Sequence, residues 1–104
     1  MNLILIDRNM LDLGATLSDA TGVAQKDLFG PARHRQATEA RFAAFLVLRE
    51  RKIAGKPMST TRIGRVFNRD HSTVVDGLKR GRELMADPVF AATYCRVKLA
   101  LEAA

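Results

Sequence analysis

The chain is 104 residues long, is 47% hydrophobic and carries a formal net charge of +6 at pH 7. This length predicts one domain with a modest core, and the hydrophobic content excludes an intrinsically disordered chain. Trp is absent and aromatic residues make up 6% of the chain, which argues against a base-stacking platform for single-stranded nucleic acid.

Cysteine usage and the apolar runs restrict the class of protein further. The one cysteine, Cys95, excludes an internal disulfide and a multi-cysteine metal site, and it fits a reducing cytoplasm. Residues 1–6 are apolar but too few for a signal peptide, and no run approaches the ~18–20 apolar residues of a membrane span. We therefore expect a cytoplasmic protein without membrane contact.

The first half of the chain predicts three helices. Residues 8–21 form the first, which ends at Thr21-Gly22, and residues 24–29 form a short second one, closed by Gly30-Pro31. Residues 36–53 form the third. Its apolar stripe at helical spacing consists of Phe42, Phe45, Leu46 and Ile53.

The second half predicts three more helices after a loop at residues 54–57. A fourth helix ends near Phe67 and a fifth runs to about Met85. Their predicted caps are Ser59 or Thr60 for the fourth and Asp70 for the fifth.

Asp87-Pro88 is a good start signal for a last helix. Apolar residues between 89 and 101 are spread too widely for one narrow face, so this helix is either buried on two sides or packs against another chain. Cys95 on it is expected to be a small buried residue. The predicted fold class is all-α, with about six helices in one domain over residues 1–104.

Residues 62–80 have the layout of a helix-turn-helix. Ile63, Val66 and Phe67 form an apolar stripe, and a polar turn follows it at residues 68–70. The next helix opens with polar side chains at residues 70–73 before its apolar stripe resumes. A helix that shows hydrogen-bonding groups at its start and hides its middle suits the major groove of DNA.

Positive charge is concentrated around this segment. Residues 33–82 hold 13 Lys and Arg against four Asp and Glu, a net +9, whereas residues 1–32 sum to −2 and residues 83–104 to −1. Such clustering is typical of phosphate binding, and a solvated basic face is the alternative.

Residues 24–90 resemble the C-terminal, duplex-binding domain (domain IV) of the bacterial replication initiator DnaA. The most specific string is I-G-R-V-F-N-R-D-H-S-T-V at residues 63–74, and upstream Asp27-Leu28-Phe29 precedes R-H-R at 33–35 in the family's order. The resemblance implies a Trp-repressor-like arrangement of the helices and binding to double-stranded DNA. Residues 1–23 and 91–104 would flank this region.

The polar residues of the motif each have an expected role. Arg69 can reach a phosphate or a base edge, and Asp70 either only caps the helix or also accepts from a cytosine amino group, as the resemblance implies. His71, Ser72 and Thr73 occupy the first turn, where Ser and Thr can bond to bases and the Thr methyl can touch thymine. For His71, a plain surface histidine is the alternative.

Basic residues outside the first turn complete the expected site. The resemblance implies that Arg33 and Arg35, in a loop before the third helix, enter the adjacent minor groove. The candidate phosphate contacts are Arg41, Arg62, Arg65, Lys79 and Arg80.

Three features depart from the family pattern. Asn68 stands alone where the family has two glycines, so the turn is one residue shorter. Asp76 stands where the family commonly has a His, and a carboxylate there would favour a cytosine amino group and a drifted target sequence. The stretch 51–58 is about four residues longer.

Neither catalysis nor a cofactor is expected. Adjacent residues on a helix point about 100° apart, so Asp70, His71 and Ser72 cannot form a catalytic triad. No metal-ligand set accompanies the two histidines, and no nucleotide-binding Gly-x-x-x-x-Gly-Lys loop is present. We expect a stand-alone, non-enzymatic reader of duplex DNA that starts at Met1.

The expected function is sequence-specific binding of double-stranded DNA in replication control or as a small regulator, so the protein is expected to be nucleoid-associated. The alternative is a helical interaction or dimerisation module with an incidental basic surface, and a dimer that reads paired half-sites would unite the two. RNA binding is a weaker third hypothesis.

Overall fold

The computed structural model describes residues 13–53 and 56–103. These residues form six helices and one antiparallel pair of two-residue strands. The predicted start of the first helix, at residues 8–12, lies outside the described residues. In chain order the elements are α1 (13–21), α2 (Gln25–Phe29), α3 (Arg35–Glu50), β1 (Lys52–Ile53), β2 (Lys56–Pro57), α4 (Thr60–Phe67), α5 (His71–Leu84) and α6 (Pro88–Ala103). The all-α prediction is confirmed.

The central element is α3, which packs against α2, α4, α5 and α6. Its Phe45 is 1% exposed and meets Phe67 of α4 edge-on, with ring centroids 5.1 Å apart. Phe67 in turn lies 5.1 Å from Phe29 of α2. This row of rings joins three helices and fixes the end of α4, where the turn of the helix-turn-helix begins.

Two glycines let α5 lie unusually close to α3. A Cβ at Gly77 would come within 2.7 Å of the Phe45 ring, and one at Gly81 would come within 2.9 Å of a Leu46 methyl. Val74 and Leu78 of α5 are buried against the same core. The backbone of the second helix is therefore seated directly on the central helix.

The prediction that the third helix continues to residue 53 is wrong. It ends at Glu50, and Arg51 is already extended, with φ −68° and ψ 128°. The chain enters an antiparallel pairing in which Ile53 faces Lys56 and Lys52 faces Pro57. Pairing with partners three and five residues away overrides helix propensity here, and strands of two residues are too short to show an alternating pattern.

The last helix, α6, packs one face on α3 and leaves other apolar residues exposed. Phe90, Val97 and Leu101 are buried, whereas Val89 is 74% and Leu99 is 68% exposed. The prediction of a buried Cys95 is wrong because the thiol lies on the outer side of this helix and is exposed. Within the described ranges, no helix has the length and apolarity needed to cross a membrane.

Candidate nucleic-acid interface

The helix-turn-helix consists of α4, a three-residue turn and α5. Ser59 begins it as predicted, because its Oγ accepts a hydrogen bond from the Arg62 backbone N–H at 3.1 Å. The turn closes through Asn68, which adopts left-handed backbone angles of φ 56° and ψ 48°. The Arg69 N–H then donates to the Gly64 carbonyl at 2.8 Å. One residue that tolerates the left-handed region is thus enough to end α4 and start the turn.

Gly64 permits the tight packing of this turn on α4. A Cβ at that position would lie 2.5 Å from the Arg69 carbonyl oxygen. The turn therefore lies directly against α4, and the glycine of the Ile-Gly pair is required there because a side chain would clash with the Arg69 carbonyl.

The start of α5 presents polar side chains to solvent. Asp70, His71, Ser72 and Thr73 are all exposed, and Val74 directly after them is fully buried. Asp70 occupies the N-cap position with φ −66° and ψ 152°, but its carboxylate makes no capping hydrogen bond. The prediction of a side-chain cap at Asp70 is therefore wrong, although the predicted helix start is right. The Asp70 carboxylate is therefore left facing solvent at the N-terminus of α5.

One face of α5 continues this polar surface along the helix. Thr73, Asp76 and Arg80 follow at helical spacing, and all three are exposed. With Lys79 they border a depression of about 620 Å³ between α3 and α5. The carboxylate of Asp76 therefore shares one depression with Thr73 and four cationic residues, because Arg41 and Arg69 also line it.

The structure corrects the predicted role of Arg41. This side chain is only 6% exposed. Its Nη1 donates to the Asp27 carbonyl at 2.7 Å, and its Nη2 donates to the Ala32 carbonyl at 2.6 Å. Burial lowers the pKa of Arg41, and the nearby charge of Arg69 lowers it further. Because its donors are directed at backbone, Arg41 supports the loop before α3 and does not extend towards phosphate.

Arg69, the predicted base or phosphate contact, has both terminal nitrogens bonded to backbone carbonyls, although it also lines the two depressions beside Thr73 and Arg33. Its Nη1 donates to the Phe67 carbonyl at 2.9 Å, and its Nη2 donates to the Gly30 carbonyl at 2.6 Å. The side chain is half-buried. The guanidinium group thus connects the end of α4 to the loop between α2 and α3.

The structure separates Arg33 from Arg35. Arg33 is exposed in the loop, where it lines a depression of about 480 Å³ together with Asn68 of the helix-turn-helix. Arg35 is the first residue of α3 and not a loop residue, and its Nε donates to Glu39 at 2.8 Å. This bond raises the pKa of Arg35. Arg35 borders a different depression, beside Asp87 near the start of α6. Of the two predicted minor-groove residues, Arg33 therefore lies beside the helix-turn-helix, whereas Arg35 lies near the start of α6.

His34 is a positioning residue that the sequence reading missed. Its Nδ1 accepts from the Ala37 backbone N–H at 3.2 Å and so caps α3. Its Nε2 lies 3.8 Å from the Asp27 carboxylate. A histidine directly before a predicted helix was the available signal, but Ser, Thr, Asp and Asn are the usual caps. The cap fixes the backbone of the residue that follows Arg33.

The remaining predicted cations are exposed on the two helices of the motif. Arg62 and Arg65 lie on α4, and Lys79 and Arg80 lie on α5. Among the described residues, a basic and an acidic side chain come within 4.0 Å of each other at His34 and Asp27 and at Arg35 and Glu39. None of the four exposed cations therefore has a described carboxylate within 4.0 Å.

Comparison with protein families identifies the motif. The family model described as bacterial dnaA protein helix-turn-helix matches residues 12–80. Because the match covers more than half of the chain, the chain belongs to this family, and membership indicates DNA binding. The match begins before the expected residue 24 and ends before the expected residue 90, so α6 lies outside it. Comparison with curated proteins gave no significant match.

Proposed function

We propose that this member of the bacterial dnaA protein helix-turn-helix family is a sequence-specific reader of double-stranded DNA. The single observation that carries the proposal is the first turn of α5, where exposed polar side chains precede a fully buried Val74. A recognition helix reads base edges with the residues of its N-terminal turn while its later residues hold it to the domain.

The chemistry of the first turn suits base edges in the major groove. The exposed Asp70 carboxylate, which makes no capping bond, can accept from a cytosine N4 amino group. Ser72 and Thr73 can donate or accept, and the Thr methyl can touch a thymine methyl. His71 offers a further ring nitrogen at the same end of the helix.

Asp76 is proposed to alter the preferred target. It is exposed one turn beyond Thr73 on the same face of α5. A carboxylate at this depth repels phosphate and favours a cytosine amino group, so the target sequence has drifted from the box that the family usually reads.

The proposed backbone contacts come from exposed cations around the recognition helix. Arg33 would enter the adjacent minor groove from its loop. Arg62, Arg65, Lys79 and Arg80 would contact phosphates and set the register of the helix on the duplex. Occupation of such sites, in replication control or as a small regulator, requires neither catalysis nor a cofactor.

Selection of bound duplexes from a random pool tests this proposal. The selected duplex should then outcompete a scrambled one, and binding should weaken steeply with added salt. Arg33→Ala and Thr73→Ala should each cost roughly 1–3 kcal/mol of binding free energy on the selected duplex. Lys98→Ala, which removes an exposed cation of α6, is the matched control and should change neither property. Equal binding of selected and scrambled duplexes would end the claim of sequence specificity.

A second function is favoured by the outer side of α6. Val89 and Leu99 expose most of their side chains; they lie ten residues, about 15 Å, apart along the helix, so a partner that buries both must cover most of the length of α6. Light scattering combined with a duplex titration separates the two functions. A stable oligomer without duplex affinity at low salt would favour an interaction module, and preference for duplex RNA would point to a different nucleic acid.

A further inference from the structure

The loop that carries Arg33 is held by two arginine side chains that come from different elements. Arg41, on α3, donates to the carbonyls of Asp27 and Ala32 at 2.7 and 2.6 Å. Arg69, in the turn between α4 and α5, donates to the Gly30 carbonyl at 2.6 Å. Three backbone carbonyls within one short segment thus accept from guanidinium groups that belong to the body of the domain.

Arg69 joins this loop to the helix-turn-helix. While Nη2 bonds to Gly30, Nη1 bonds to the carbonyl of Phe67, the last residue of α4, at 2.9 Å. The last carbonyls of a helix lack partners within the helix and carry partial negative charge, so a cation is favourable there. One planar group therefore spans two chain segments that are 39 residues apart in the sequence.

The two guanidinium groups end on carbonyl dipoles and have no carboxylate within 4.0 Å among the described residues. Their mutual repulsion opposes this arrangement. Each planar fork nevertheless satisfies several acceptors at fixed angles, which a lysine ammonium on its flexible stem cannot reproduce. The arrangement therefore depends on the planar geometry of the two guanidinium groups more than on their charge.

We infer that Arg69, together with Arg41, is a positioning residue that holds Arg33 at a set distance from the first turn of α5. The loop and the recognition helix then engage DNA as one unit. This inference rests on the proposed function, and it gives Arg69 an influence on sequence preference through the backbone carbonyls to which both of its terminal nitrogens donate. By positioning Arg33, Arg69 controls the preference for A·T-rich DNA beside the major-groove site.

The test compares duplexes that share the selected core but carry either A·T-rich or G·C-rich flanks. Wild type should prefer the A·T-rich flank by about tenfold, and Arg33→Ala should remove that preference. Arg69→Lys should remove it to the same extent, because an ammonium cannot bridge the Gly30 and Phe67 carbonyls, while preference for the core over a scrambled core persists. The double variant should lose no more flank preference than Arg33→Ala alone. Arg96→Lys removes a comparable guanidinium–carbonyl bond, to Ala20 at 3.1 Å, on α6, and it is the matched control that should leave the flank preference unchanged.

Two results would overturn the inference. If Arg69 itself contacts phosphate, Arg69→Lys keeps the flank preference, and Arg69→Met weakens all duplexes alike while the salt slope falls by about 1. Amide hydrogen exchange at Arg33 and His34 tests the clamp without DNA, after thermal unfolding has verified that each variant is folded. Faster exchange in Arg69→Lys is expected, and an unchanged rate refutes the clamp. Failure of wild type to prefer any duplex would instead reject the proposed function, and the exchange rates still decide the clamp.

Discussion

Replacement of Gly77 by alanine tests how closely the recognition helix is seated on α3. The new Cβ would lie 2.7 and 2.8 Å from two carbons of the Phe45 ring and 3.1 Å from the ring of Phe42. Phe45 is 1% exposed and packs edge-on against Phe67, so its ring has no free space to turn into. The clash can therefore be relieved only if α5 moves outwards.

Two effects of opposite sign determine how much Gly77→Ala changes the free energy of unfolding. Overpacking of a dense core costs about 1–3 kcal/mol of the free energy of unfolding. The higher helix propensity of alanine than of glycine adds about 1 kcal/mol to the free energy of unfolding. We expect Gly77→Ala to destabilise the fold by about 1 kcal/mol net, which for a domain of this size lowers Tm by roughly 4–8 °C.

Gly81→Ala is the matched control on the same helix. Its Cβ would meet the end of a Leu46 side chain at 2.9 Å, and a flexible methyl group can move aside at little cost. Thermal unfolding should therefore show Gly81→Ala at or above wild type, because the gain in helix propensity is offset only in part, and Gly77→Ala clearly below wild type. A Tm of Gly77→Ala at or above that of Gly81→Ala would refute the reasoning, because helix propensity would then outweigh packing.

Three further predictions concern the turn, the target and the last helix. Asn68 has a φ of 56°, so Asn68→Gly should keep or slightly raise Tm, whereas Asn68→Val should lose about 1–2 kcal/mol of stability; equal Tm values would contradict this. Asp76→His should change the sequences selected from a random duplex pool, and an unchanged pool would mean that Asp76 does not face the bases. Burial and the bond to Glu50 raise the pKa of Tyr94 from its ordinary 10.0 to about 12. The folded phenol stays protonated while the unfolded one ionises, so its contribution is complete below about pH 10 and is lost towards pH 12. Tyr94→Phe should flatten that decline in urea unfolding, and an equally steep decline would exclude Tyr94 as its source.

The element ends that the sequence predicted are those set by local chemistry. Ser59 caps α4 through its own hydroxyl, and the Asp87 carboxylate accepts from the Val89 backbone N–H at 3.0 Å. Gly22 ends α1 with a φ of 73° that other residues avoid. In each case the deciding interaction lies within a few residues of the boundary, so the pattern of the chain contains it.

The errors arise where the deciding partner is distant or the pattern is ambiguous. The acceptors of Arg41 and Arg69 include carbonyls 14 and 39 residues away, and a backbone carbonyl has no signature in a sequence. Cys95 lies on a helix whose apolar residues surround most of its circumference, so periodicity alone could not tell its inner face from its outer face.

The basic residues of the chain divide into those that donate to backbone carbonyls and those that are exposed. Fewer cations are therefore free to bind phosphate than the net charge suggests. Arg41, Arg49 and Arg69 donate to backbone carbonyls, and they support the loops on either side of α3. The exposed arginines of α4 and the exposed cations of α5 lie on the two helices of the helix-turn-helix, and Arg33 lines a depression beside its turn. Since a supporting arginine and a phosphate-binding arginine are the same residue type, net charge measures their sum, whereas salt dependence measures only the second group. The number of phosphates contacted should therefore follow the exposed set and fall well short of the net +9 of residues 33–82.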